Sequence, residues 1–167
     1  VRDSASVSFD AYVVHRSAQL VRLAFVLLGD MSDAEDVVQE ALARCYAKWR
    51  GLHGDPHAYV RQAVTRRAIS LRSQRSASRL RIARHRPAEA HTLAIDAVAE
   101  HAVLWPLVLA LSPQQRAIIV LLYYEDLPES EVARILGCTI NNVKSQRAKA
   151  LRRLRQATDE SDKSWMT

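Results

Sequence analysis

Asp33, Glu35, Asp36 and Glu40, with Gln39 among them, crowd carboxylates into the short stretch from Ser32 to Leu42. On a helix, Asp36, Gln39 and Glu40 stand at i, i+3 and i+4 and share one face. Such a face can pair with guanidinium groups across a protein interface, where charge-assisted hydrogen bonds are strongest. A second set carries the opposite sign: Asn141, Asn142, Lys144, Ser145, Gln146, Arg147 and Lys149, with Arg152 beyond them. Amide side chains suit adenine edges, and Lys and Arg suit guanine edges or phosphates. Between these sets, from Asp55 to Glu89, lie nine arginines and no acid. Arg61, Arg66, Arg67, Arg72 and Arg75 offer a basic track for a nucleic-acid backbone, and Tyr59 is the nearby aromatic that could stack on a base.

The charge is segregated. Five acids and no Lys or Arg fall between Arg22 and Arg44, whereas six basic residues and no acid run from Lys144 to Arg155. Self-repulsion makes such blocks costly unless a partner relieves them, and the net charge of +6 suits a polyanion. The elements that must position these groups read as helices throughout. Phe9 to Leu28 has apolar residues at helical spacing and stops at Gly29. Ser32 with Glu35 reads as a capping box opening the acidic helix, whose Val38, Leu42, Cys45 and Trp49 form an inward stripe. Gly51, Gly54 and Pro56 mark a loop, and a third helix starts near His57. Apolar patterning fades after Leu71. A basic linker is expected over 77–96.

The second half opens near Ala97 with a helix that Pro106 could kink. Ser112 and Pro113 cap the next, expected from Gln114 to Tyr124. Glu129 to Leu136 is a short helix with acids at its positive end, closed by Gly137. Thr139 caps the last helix, with Val143, Ala150, Leu151 and Leu154 inward. Ala133 as the small contact residue, Gly137 as the turn, and Ile140 and Val143 as apolar plug satisfy the requirements of a helix-turn-helix. On its second helix Asn142, Ser145, Gln146 and Lys149 are candidate base readers, and Lys144, Arg147, Arg152 and Arg153 candidate phosphate ligands. The fold expected is all-α: two small helical domains, 1–76 and 97–157, joined by the basic linker and followed by a tail over 158–167.

Catalysis has little support. His15, His53, His57, His85, His91 and His101 are scattered, and His53 and His57 straddle Gly54 and Pro56, so no helical metal pair is expected. Nucleophile-elbow, phosphate-loop and zinc-protease motifs are absent from the sequence, and no cofactor is expected. Cys45 and Cys138 read as reduced residues of a cytoplasmic protein. No unbroken apolar run of spanning length occurs, so no membrane partner is expected.

The run Asp33-Ala34-Glu35-Asp36-Val37-Val38-Gln39-Glu40-Ala41-Leu42 resembles the polymerase-binding helix of bacterial sigma factors of the extracytoplasmic-function group. Leu127 to Cys138, followed by Asn142-Val143-Lys144-Ser145, resembles that group's second conserved domain. The SigE-like actinobacterial subfamily of the sigma-70 family is the nearest likeness, and the resemblance covers about Phe9–Arg75 and Val98–Arg155. It implies a sigma region 2 helical bundle and a sigma region 4 helix-turn-helix. It further implies a non-enzymatic, cytoplasmic, nucleoid-associated promoter-specificity factor that binds core polymerase. Asp33, Glu35, Asp36, Gln39 and Glu40 would meet the clamp coiled coil of the largest subunit, with the flap as a further polymerase contact. Tyr59, Arg61, Arg66, Arg67, Arg72 and Arg75 would capture the melted −10 strand. Asn141, Asn142, Lys144, Ser145, Gln146, Arg147, Lys149 and Arg152 would bind the −35 element. An anti-sigma factor is an expected regulator. The chain departs from the residues that the resemblance leads one to expect at Arg66 (often Asn), Leu122 (usually Arg) and Gln146 (usually Arg), which implies a base preference of its own. The alternative is an autonomous helix-turn-helix regulator, dimerising through its first half and binding palindromic DNA without polymerase.

Overall fold

A computed structural model describes residues 8–52, 54–82 and 99–164 of the 167-residue chain. His53, His85, His91 and most of the expected linker (83–96) lie outside the described residues. Every regular element among those described is helical. The chain divides into two compact units, Val1–Ala68 and Ile69–Thr167, a division inside the third helix and earlier than the expected boundary at residue 76.

In the first unit, α1 (Phe9–Leu28) and α2 (Met31–Tyr46) pack side by side across a connection of two residues, Gly29 and Asp30. Gly29 takes the left-handed conformation (φ 81°) and donates its N–H to the Phe25 carbonyl, closing α1. The cap of α2 differs from the expected Ser32–Glu35 box: Asp30 is the N-cap, its Oδ1 accepting from the Asp33 N–H at 2.9 Å. The helix therefore begins one turn-fraction earlier, at Met31, and Ser32 is an exposed residue of its first turn. Asp30→Ala should lower stability by about 1 kcal/mol, whereas Ser32→Ala should change it by less than about 0.5 kcal/mol; thermal melts of the two variants compare the caps directly.

Leu20, Leu23, Ala24 and Leu27 of α1 meet a core that includes Ala34, Val37, Val38, Ala41 and Cys45 of α2. Three small or β-branched positions thus widen the expected stripe and let the helices approach closely. By length and composition α1 could cross a membrane, but Leu20, Leu23, Ala24, Phe25, Leu27 and Leu28 are buried within the unit. A short turn (Trp49–Gly51) leads to α3 (Pro56–Ile82), which supplies Val60, Val64 and Ala68 to the interior. Phe9 packs edge-on to Tyr46 and Trp49 with centroids 5.0 and 5.1 Å away. Tyr12 stacks obliquely on Trp49 and bonds His57 Nδ1 at 3.0 Å. Burial raises the Tyr12 phenol above its usual range and lowers the His57 imidazole, the latter helped by Arg16 and Arg61. Both therefore stay neutral near pH 7, and the His57 tautomer sets which of the two donates. This aromatic cluster fixes where α3 begins.

The second unit contains α4 (Ala99–Ala110), α5 (Pro113–Ile119), a π-helical turn (Val120–Tyr124), α6 (Glu129–Leu136) and α7 (Ile140–Ser164). The expected continuous helix to Tyr124 changes pitch: Glu125 N–H reaches back five residues to the Val120 carbonyl at 3.0 Å. Ser112 caps α5 through the Gln115 N–H at 3.3 Å, with Pro113 in the first turn, as expected. Pro106 lies within α4. Two regions of sequence expected to be irregular are helical: α3 runs six residues past the expected end at 76, and α7 runs through Ser164 of the tail.

Candidate protein and nucleic-acid interfaces

On α2, the residues opposite the core are Glu35, Asp36 and Gln39, all exposed. Asp33 is held at the helix start by its backbone bond to Asp30 and is half-buried. Glu40 differs from its neighbours. It pairs with Arg44 one turn along and with Arg67 of α3, each at 2.5 Å. The Arg67 hydrogen bond, then the charges of Arg67 and Arg44, hold the Glu40 carboxyl below its ordinary 4.5 against the opposing effect of burial. Two sequence-assigned roles, Glu40 for a protein partner and Arg67 for nucleic acid, thus meet in one intramolecular ion pair.

The arginines of α3 do not form a single track. Arg61 is packed into the interior at 9 % exposure, beside Val60 and Val64, instead of lying on the surface as expected. Helical spacing explains it: Arg61, Val64 and Ala68 stand at i, i+3 and i+7 on the inward face. Tyr59, Gln62 and Arg66 also stand at i, i+3 and i+7, but on the outer side, where Arg66 is exposed and Tyr59 and Gln62 are half-exposed. Gln62 is uncharged, and only its place on the outer face of α3 sets it beside Tyr59 and Arg66. Arg72, in the second unit, donates to the Leu109 carbonyl at 2.7 Å; Arg75 is exposed.

The helix-turn-helix is built as its pattern requires. Ala133 lies where α6 meets α7, and Gly137 adopts φ 66°. The N–H groups of Gly137 and Cys138 both return to the Ala133 carbonyl, satisfying the end of α6. Thr139 Oγ1 accepts from the Asn142 N–H at 3.2 Å, capping α7 as expected. Val143 is buried with Ile118, Leu121, Val132 and Ile135. Ile140, expected beside it in the plug, is instead 42 % exposed, since it opens the helix on the outer side of the turn.

Asn141, Lys144, Ser145, Lys149 and Arg152 of α7 are exposed, and Asn142 is half-exposed. Arg147 is drawn to Glu129 at 2.6 Å, with Lys144 3.8 Å from the same carboxylate. Gln146 turns away from the outer face to meet Gln115 of α5, which also accepts from Arg153. The outward face is therefore Asn141, Ser145, Lys149 and Arg152, with Ala148 between them. Leu122 packs against the apolar cluster.

Comparison with known proteins agrees with both halves of this arrangement. Residues 12–80 match the family model for sigma-70 region 2, and residues 103–154 that for sigma-70 region 4. The RNA polymerase sigma-E factor of Streptomyces avermitilis is 30 % identical over 158 residues, 93 % of this chain and 88 % of the relative. Its Streptomyces coelicolor counterpart is 31 % identical over 152 residues, 90 % and 85 % of the two chains. In fold, the chain is similar to the sigma factor RpoE of Bartonella quintana, solved with the anti-sigma factor NepR: TM-score 0.74, 21 % identity, covering 90 % of this chain and 96 % of that one. Sigma factors are transcription initiation factors, not enzymes in themselves. The chain belongs to the sigma-70 family, as a SigE-like RNA polymerase sigma factor of the extracytoplasmic-function group.

Proposed function

We propose that this sigma factor docks on core polymerase through Glu35, Asp36 and Gln39 of α2, with Asp33 and Glu40 at the edges of the contact. The partner surface is the clamp coiled coil of the largest subunit, with the flap as a second contact. Tyr59, Gln62 and Arg66 hold the melted −10 strand, joined by Arg67 and Arg75. Asn141, Asn142, Ser145 and Lys149 read the −35 element, and Lys144, Arg147 and Arg152 bind its phosphates. Arg61 positions α3 from within, and Arg72 steadies the second unit through Leu109. The factor works in the cytoplasm at the nucleoid. An anti-sigma protein is its proposed regulator, a reading supported by the Bartonella relative's partner.

The observation that carries this reading is the pairing, in one chain, of an exposed acidic helix face with a helix-turn-helix whose outer face is polar and basic. The first suits a cationic protein surface and the second suits DNA. Run-off transcription tests it. Purified core polymerase plus this chain should initiate from a subset of a promoter library, and core alone should not. Tight binding to a palindrome by the chain alone, with no co-purification with core, would favour the autonomous regulator instead.

A further inference from the structure

Gln146 sits in the N-terminal part of α7, among the candidate readers, yet its Oε1 accepts a hydrogen bond from Gln115 Nε2 at 3.2 Å. Gln115 is 5 % exposed, and its Oε1 accepts from Arg153 Nη1 at 2.9 Å. A guanidinium only donates, so Gln115 must turn its oxygen to Arg153 and its amide nitrogen to Gln146. Donor order is thereby set from Arg153 through Gln115 to Gln146. Gln146 and Arg153 stand seven residues apart, on the same flank of α7. The other flank is held by Glu129, through Arg147 and Lys144. Between the flanks, the inward face buries Val143 and Ala150 and packs the partly exposed Leu151 and Leu154 against the core. Apolar contacts are non-directional and tolerate a small roll of the helix about its own axis, whereas directed hydrogen bonds on both flanks oppose it.

We propose that Gln146 and Gln115 are positioning residues that set the roll of α7 and thereby choose which side chains face the −35 bases. Gln146 itself reads no base. The inference rests on −35 recognition by α7. With side chains reaching about 5–6 Å from the axis, a roll of about 20° displaces their tips by about 2 Å, enough to break a hydrogen bond to a base edge. Asn141, Ser145 and Lys149, at i, i+4 and i+8 on the far side, would shift together.

The test is transcription by reconstituted holoenzyme on a library randomised over the −35 element, with sequencing of the initiating templates. Gln115→Met removes both hydrogen bonds while filling a similar volume, and Gln146→Met removes one. Both should alter base preference at two or more −35 positions in the same direction, by about five- to tenfold at each. Gln115→Glu, which can accept from Arg153 and from a turned Gln146 amide, should keep the parental profile. Relaxed preference at a single base in Gln146→Met, with Gln115→Met unchanged, would overturn the proposal in favour of direct readout. A Gln115→Glu profile matching Gln115→Met would overturn it too, because hydrogen bonding would then not be the cause. Failure of the unaltered chain to initiate on any template would instead refute promoter reading itself. A melting curve for each variant shows that the unit remains folded, and should Gln115→Met not fold, Arg153→Met, at an exposed position, cuts the same relay and must give the same shift.

Discussion

Glu35→Lys combined with Asp36→Lys should abolish holoenzyme assembly while leaving the first unit folded. Both carboxylates are exposed on the face of α2 that points away from α1 and α3. Their reversal therefore removes no buried contact, and the stability change should stay within about 0.5 kcal/mol per site. At an interface with cationic groups the same change converts attraction to repulsion. Close charge pairs across interfaces are coupled by about 1.5–7 kcal/mol, so affinity for core polymerase should fall by at least about a hundredfold. Glu40 is unsuited to this test, because its replacement also strands Arg67 and Arg44. Co-purification with core, and run-off transcription at increasing sigma concentration, read the loss; circular dichroism checks the fold. Raised salt should weaken the unaltered complex in the same sense. Undiminished assembly by the folded double variant would refute α2 as the docking helix.

Helix existence was legible because each helix has its own local code. Apolar spacing marks α1 and α2, Gly29 and Gly137 mark the stops of α1 and α6, and Ser112 and Thr139 mark caps, all of which the structure bears out. The misses arise where two local codes compete. Asp30 and Ser32 can each cap a helix two residues apart, and Asp30 prevails by receiving the chain in an extended conformation directly after the Gly29 turn. The stretch 77–82 lacks apolar patterning but keeps helix-favouring residues, so α3 continues through it.

Side-chain destinations were harder to read. A basic residue is expected at the surface, yet Arg61 and Arg116 are buried, and Arg116 reaches carbonyl acceptors on α4 that sequence does not show. Gln146 looked like a base reader on type alone, and only the position of α5 reveals Gln115 as its partner. Glu40 and Arg67 were assigned to different partners since 27 residues separate them, and the packing of α2 beside α3 is what joins them. Charge sign along the chain thus singles out α2, α3 and α7. Helical face and tertiary partner decide which of their residues are available.

Arg116→Met should be the most damaging single change in the second unit. The guanidinium has no exposed surface; its Nε donates to the Val108 carbonyl at 3.0 Å and an Nη donates to Leu109. These carbonyls belong to the last turn of α4, where a helix lacks internal donors and carries partial negative charge. Arg116 thus closes α4 from the next helix. Burial, with Arg72 beside it, lowers its pKa to about 9, so it remains charged at neutral pH and keeps all its donors. Methionine fills much of the space but supplies no donor, leaving the Val108 carbonyl with the Leu111 N–H alone and the Leu109 carbonyl with Arg72. The expected loss is about 2–4 kcal/mol, or a fall in Tm of roughly 10–20 °C for a unit of this size. Arg116→Lys retains one donor group and should lose less. Arg152→Ala, at an exposed site on α7, should melt within about 0.5 kcal/mol of the parent. Because Ile119 of α5 packs with Ala150 of α7, loosening at Arg116 should also weaken −35 binding, and lowering the temperature should restore it. A Met variant as stable as the parent would show that α4 is closed by other donors.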